Sequence, residues 1–250
     1  MSPPRRIAVL LYHHVGPVTQ PHCRGLTVTP RAFARQIGTL KAMGWNAILP
    51  AEWANYVHRS ADIPPKSVMI TFDDAFADLS IHALPILEKH SFEATVFVPT
   101  SLIGGAIACS PRHPEASLPI MDANQIAAWA KRGISFGAHS RSHIDLTTAD
   151  SVTASDEIER SGDELAMITG KTVRTFAYPY GIHDTATESL VRARYETAFT
   201  IEEGMNDIRT PLTALRRTMV QHTDSVVDVL LRARYGKSVF QRTGRPKASS

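Results

Sequence analysis

Cysteine is nearly absent from this chain. Cys23 and Cys109 are the two among 250 residues, and neither sits in a CxxC or Cys/His ligand pattern. A thiolate metal site is therefore not indicated. Both lie in Gly/Pro/His-rich loop sequence, so two free thiols are expected, with a disulfide between them as the alternative. No stretch approaches the roughly 18 apolar residues of a membrane span. The apolar run after Arg5-Arg6 ends at His13-His14, too soon for a signal peptide and without a small-residue cleavage site. A cytoplasmic location without a cleaved export signal is expected. Charge of one sign is not massed before the C-terminal tail: 27 Lys and Arg face 24 Asp and Glu, a net +3. That excess suits contact with an anionic or lipid-linked polymer but is too small for a nucleic-acid partner. Gly104-Gly105 is a turn, too little for a phosphate loop.

What is present is a globular balance, 43% hydrophobic and 20% charged residues, in a chain long enough to bury one sizeable core. Strand-like runs over 7–12, 46–49, 67–72, 94–98, 134–138, 173–177, 197–200 and 215–220 alternate with helix-like segments over 30–43, 52–59, 79–90, 122–131, 156–169, 187–194 and 225–235. Thr29-Pro30, for example, is an N-cap followed by proline at the first helical position. Such alternation implies parallel strands with helices outside. The fold class is thus α/β, a distorted (β/α) barrel of about seven parallel strands with outer helices, and a doubly wound sheet is the alternative. Residues 1–240 read as a single catalytic domain and 241–250 as a disordered tail. The Gly/Pro/Ser-rich stretch 101–119 reads as a long loop at the mouth of the barrel, shaping a substrate groove.

The notable polar residues follow strands. His13 follows the first, Asp73 and Asp74 the third, and His139 the fifth, while Tyr180 lies just beyond the sixth. In a barrel those ends converge on one face, where active sites sit. His139 and His143, four apart, would share one side of a helical turn and one zinc-type cation. With eleven histidines in the chain, that spacing alone is weak. Asp73-Asp74 alone reads more readily as a helix N-cap. Together, Asp74, His139 and His143 make a two-histidine, one-carboxylate set with open coordination positions, leaving Asp73 as a candidate base. Trp45, Trp53 and Trp129 read as packing residues, and His82, His90 and His113 as surface or loop residues.

The segments TFDD (71–74), HSRSH (139–143) and FAYPYG (176–181), in that order, resemble the first three motifs of the polysaccharide deacetylases, carbohydrate esterase family 4. The resemblance extends over about residues 7–220. It implies metal-dependent hydrolysis of the N-acetyl group of an amino sugar, on an N-acetylglucosamine-type oligo- or polysaccharide or a lipid-linked sugar. It also implies Asp74, His139 and His143 as ligands of a divalent ion, zinc by ligand type, with cobalt or another ion as alternatives. Asp73 would be the general base, and the Tyr180 N–H would hold the oxyanion. The usual C-terminal Leu-His motif is missing. His222 lacks an apolar strand directly ahead of it, so LLYHHV (10–15) resembles a circularly permuted subgroup with His13 as the general acid, ahead of His14. Ala177 stands where family members often carry an arginine that positions the base. Arg217 would take that role, with Arg216 as competitor. Two other readings remain: an allantoinase-like hydrolase of another small C–N substrate, and a carbohydrate-binding protein without catalysis.

Overall fold

The computed structural model describes residues 5–238, so the expected tail at 241–250 lies outside the described residues. In chain order the strands are β1 (Ala8–Tyr12), β2 (His14–Val15), β3 (Thr27–Val28), β4 (Asn46–Ala47), β5 (Ser67–Phe72), β6 (Thr95–Val98), β7 (Ala106–Ala108), β8 (Ser117–Pro119), β9 (Ser135–Ala138), β10 (Thr175–Ala177), β11 (Thr197–Phe199) and β12 (Thr218–Met219). The α-helices are α1 (Pro30–Ala42), α2 (Pro50–Val57), α3 (Leu84–Lys89), α4 (Ala123–Lys131), α5 (Ser151–Thr169), α6 (Thr185–Arg194) and α7 (Val226–Tyr235). Seven strands pair in the order β11-β10-β9-β6-β5-β1-β12, and β4 adds to the start of β5. Every pair in this sheet is parallel. A parallel bridge, Phe199↔Leu215, ties edge strand β11 to the segment entering β12. The sheet thus curls into the distorted α/β barrel expected from the alternation of elements.

The period of two along each strand sorts the side chains into two layers. Val9, Met69, Phe97, Ala177 and Phe199 fill the inside of the barrel, together with Ile7, Leu215 and the fully buried Trp53. Leu10, Tyr12, Val68, Ile70, Phe72, Val96, Val98 and Phe176 face outward, in one cluster with core residues of the helices. Gly137 falls on the inner side of β9, where an added Cβ would lie 2.5 Å from the Phe97 ring. Trp129 is buried and Trp45 packs partly buried against the outer cluster, as their reading as packing residues requires.

Four local expectations are corrected. Cys23 and Cys109 are not free thiols but a disulfide. They come from loops far apart in sequence, so no local pattern announces the pairing. The stretch 101–119 is not structureless: β7 and β8 form an antiparallel hairpin within it. The helix expected over 79–90 is a wide π-type turn at Leu79–Ala83 running into α3. Pro85 near the start of α3 removes the N–H that a continuous α-helix would use. The helix expected from residue 156 begins at Ser151, where the Asp150 carboxylate accepts from the N–H groups of Val152 and Thr153.

Candidate active site

Alternation carries past the strand ends. Val9, Leu11 and His13 share one parity, as do Met69, Thr71 and Asp73, and Gly137 and His139. His13, Asp73 and His139 therefore arrive on the inner side at the carboxyl end of the barrel. Asp74 has the opposite parity and would face outward, but its backbone takes φ 68°, followed by Ala75 at φ 49°. This left-handed turn brings Asp74 to the same cavity. Ser140 (φ 57°), His143 (φ 58°) and Tyr180 (φ 58°) are left-handed too. Non-glycine residues hold this conformation at a cost of about 1–3 kcal/mol each, and such strain clusters at functional sites.

The Asp74 Oδ1 lies 3.3 Å from His143 Nε2 and 3.7 Å from His139 Nε2. The three ligand atoms all fall within 4.8 Å of one another. Asp74 Oδ1 is buried and makes no well-aligned hydrogen bond; its nearest polar neighbours are the two imidazole nitrogens, an arrangement that a shared cation completes. His139 Nδ1 lies 2.7 Å from the Ala177 carbonyl and donates to it. That fixes the tautomer and leaves the Nε2 lone pair facing Asp74. Burial, more than any neighbour, lowers the His139 pKa to about 4, so the ring is neutral near pH 7. Burial pushes the Asp74 carboxyl upward, but His143, His13 and His139 outweigh it and hold the group ionised. Two neutral-capable imidazoles and a carboxylate, with one unsatisfied oxygen, fit a divalent ion of zinc type.

Residues 139–143 form a loop rather than the expected helical turn, and a buried carboxylate holds it. Glu157 Oε2 accepts from the N–H groups of Arg141 and Ser142, both at 2.8 Å, and Glu157 Oε1 accepts from Ser142 Oγ at 2.6 Å. Ser140 Oγ accepts from the His143 N–H at 2.9 Å. The sequence reading missed Glu157. Its only mark there is a carboxylate beside the buried apolar stripe of α5.

Asp73 is gripped by Arg217, whose Nη1 and Nη2 each donate to one carboxylate oxygen at 2.7 Å. Arg217 is fully buried and its Nε donates to the Thr200 carbonyl at 2.8 Å. The guanidinium lies 5.7 and 5.8 Å from the Phe97 and Phe199 ring centres. Burial raises the Asp73 pKa, but the Arg217 charge and hydrogen bonds outweigh it, so the net shift is downward. Arg216 is half exposed and lies 3.8 Å from Glu202 instead.

His13 lines the cavity with Asp73, Asp74, His139, His143 and Tyr180. Its Nδ1 is buried without a hydrogen-bond partner. Burial lowers its pKa, against the pull of Asp74 and Asp73. His14 is held elsewhere, by Thr27 Oγ1 at 3.0 Å and Asp78 Oδ2 at 2.9 Å. The Tyr180 ring stands edge-on to His143, centres 4.6 Å apart. The cavity measures about 310 Å³, and Ala108, Cys109 and Pro111 of the 101–119 stretch form part of its wall. A larger cavity of about 820 Å³ lies at the other end of the barrel, lined by Arg6, Lys66 and Arg216 among others. It holds no histidine, so size does not select the site.

The model of the polysaccharide deacetylase family matches residues 60–198. The poly-beta-1,6-N-acetyl-D-glucosamine N-deacetylase of Staphylococcus epidermidis is 26% identical over 190 residues, 72% of this chain and 63% of that protein. The chain therefore spans less than two thirds of that relative's length. Among solved structures, the Streptococcus pyogenes deacetylase PplD in complex with acetate superposes with a TM-score of 0.80 at 26% identity, covering 92% of this chain and 99% of that one. IcaB from Ammonifex degensii gives 0.75 at 25% identity, covering 92% and 97%. Among the described residues no helix is long and apolar enough to cross a membrane.

Proposed function

Because this chain belongs to the polysaccharide deacetylase family, we propose that it hydrolyses the N-acetyl groups of an N-acetylglucosamine-type oligo- or polysaccharide, or of a lipid-linked sugar, in a metal-dependent reaction that releases acetate. One observation carries the reading: the Arg217-gripped Asp73 carboxylate shares a cavity with the Asp74, His139 and His143 set. Those three residues would hold the divalent ion, zinc by ligand type. When bound, such an ion polarises the acetamide carbonyl and acidifies water.

Asp73 takes the proton of the attacking water, and Arg217 keeps that carboxylate ionised and aimed. The strained Tyr180 backbone presents its N–H to the developing oxyanion. His13 delivers a proton to the leaving nitrogen, since an amine leaves poorly unprotonated. Assigning the acid to His13 follows the circularly permuted arrangement, in which that histidine comes after the first strand. The whole of 1–240 would serve as one catalytic domain. The Cys23–Cys109 disulfide favours work in an oxidising compartment over the cytoplasmic location expected from sequence.

The test is acetate release from β-1,4- and β-1,6-linked N-acetylglucosamine oligomers by zinc- or cobalt-reconstituted protein, with Asp73→Asn as the blank. Release that grows with oligomer length and vanishes in the blank supports the reading. No release from any oligomer by metal-loaded protein overturns the oligo- and polysaccharide reading, and no release from a lipid-linked N-acetylglucosamine substrate either overturns the deacetylase reading altogether.

A further inference from the structure

The Cys23–Cys109 disulfide gathers a second group of metal-type side chains at the rim of the cavity. His22 precedes Cys23, while His113 and Glu115 follow Cys109 within the β7–β8 hairpin loop. His113 Nδ1 lies 3.1 Å from Glu115 Oε1, and the His22 and His113 rings stack 3.6 Å apart, 18° from parallel. One ligand atom from each of the three residues falls within 4.8 Å of the others.

One further tie joins the two segments: Gln20 Nε2 donates to the Ser117 carbonyl at 3.1 Å. Within the hairpin the Cys109 N–H donates to the Ala116 carbonyl at 2.8 Å. The loop is closed again by the His113 N–H to the Ser110 carbonyl at 3.0 Å. The donors are thus brought together by a covalent staple and a hydrogen-bonded loop, which lowers the ordering cost of binding.

We propose that His22, His113 and Glu115 form a second metal site, distinct from the Asp74 set, for a borderline divalent ion such as zinc or copper(II). Two imidazoles and one carboxylate are the donors those ions select. Parallel rings cannot both point a lone pair at one ion, so capture turns one ring out of the stack. His113 and Glu115 side chains are 42% and 68% exposed, which leaves that rotation free. With three protein donors, water completes the shell, and the site fills at higher free metal than the buried one. Once filled, it clips the 21–26 segment to the hairpin that walls the cavity.

Zinc titration of the disulfide-intact chain against a chromogenic chelator tests this. Two ions per chain are expected in the wild type, with the weaker lost in His113→Ala and in His22→Ala, and the tighter retained. Asp74→Asn should remove the tighter and spare the weaker. A single ion per wild-type chain that is lost in Asp74→Asn and kept in the His22→Ala/His113→Ala double variant overturns the proposal, as does a second ion retained by that double variant. The readout is stoichiometry, so absence of acetate release would count against the deacetylase reading and leave this one standing.

Discussion

Arg217 and Asp73, 144 residues apart in the chain, close two parallel N–H···O bonds of 2.7 Å inside the barrel. The pair is shielded from water: Arg217 is fully buried and Asp73 only 3% exposed. A charge so placed is costly unless its partner and its remaining hydrogen bonds are present. The Thr200 carbonyl on Nε and the two flanking aromatic rings supply the remainder for Arg217.

Removing one partner should therefore cost more than removing both. Arg217→Met should destabilise the protein by about 3–5 kcal/mol, read from denaturant unfolding. The same change in an Asp73→Asn background should cost clearly less. Arg217→Lys keeps the charge but not the fork, so it should fold, bind metal and lose on the order of 10²-fold in kcat. Equal penalties in the two backgrounds, or an unchanged kcat in the lysine variant, would remove Arg217 from its positioning role.

Glu157 should govern metal affinity without touching the ion. Its carboxylate accepts three hydrogen bonds from the 141–142 segment that joins His139 to His143. A glutamine would turn an NH2 toward one set of donors. Glu157→Gln should weaken zinc binding about 10–100-fold, with activity recovered at raised zinc and partly restored in Glu157→Asp. Wild-type affinity in the glutamine variant would count against this.

Much of this was legible in the sequence for one physical reason: parallel strands buried on both faces read as short apolar runs, and the polar residue after each run is at the barrel mouth. His13, Asp73 and His139 follow from that parity alone. Asp74 and His143 do not, because left-handed backbone at Asp74, Ser140 and His143 decides where they point, and period counting is blind to it. Arg217 shares the parity of inward-facing Leu215 and Arg216 does not, and in space one lies inside the barrel and the other beside Glu202. Glu157 and the disulfide were missed because each joins segments distant in sequence, and no local pattern encodes such a meeting.

The disulfide closes a loop of 86 residues, long enough to constrain the unfolded chain strongly. Cys23→Ser/Cys109→Ser should lower stability by about 2–5 kcal/mol. The wild type should show the same loss of melting temperature in reductant, and the double variant no further loss. Reductant-insensitive melting of the wild type would show that the bridge contributes nothing.

Gly137 tests the barrel interior. A Cβ there would stand 2.5 Å from one Phe97 ring carbon and 2.7 Å from Thr175 Cγ2, under the ring neighbouring Arg217 and two residues below His139. Gly137→Ala should destabilise by about 1–3 kcal/mol. It should also lower kcat, since Phe97 cannot shift without disturbing the Arg217 guanidinium. A neutral effect on both would mean that the inner layer is looser than these distances imply.

Proton release on metal binding should separate the two histidines. Burial alone would lower the His143 pKa, but the Asp74 carboxylate outweighs it and the net shift is upward. His139 is shifted the other way, to about 4. Between those values His143 carries a proton that the metal must displace, whereas His139 has none to lose. Zinc affinity should therefore fall as pH drops through the His143 value, approaching tenfold per pH unit, and be insensitive to His143 above it. Calorimetry at about pH 6 in two buffers of different ionisation enthalpy should count about one proton released per ion at the buried site. The His22→Ala/His113→Ala background keeps the rim residues from contributing. No proton released there would mean that His143 is not the protonated ligand that its 3.3 Å approach to Asp74 implies.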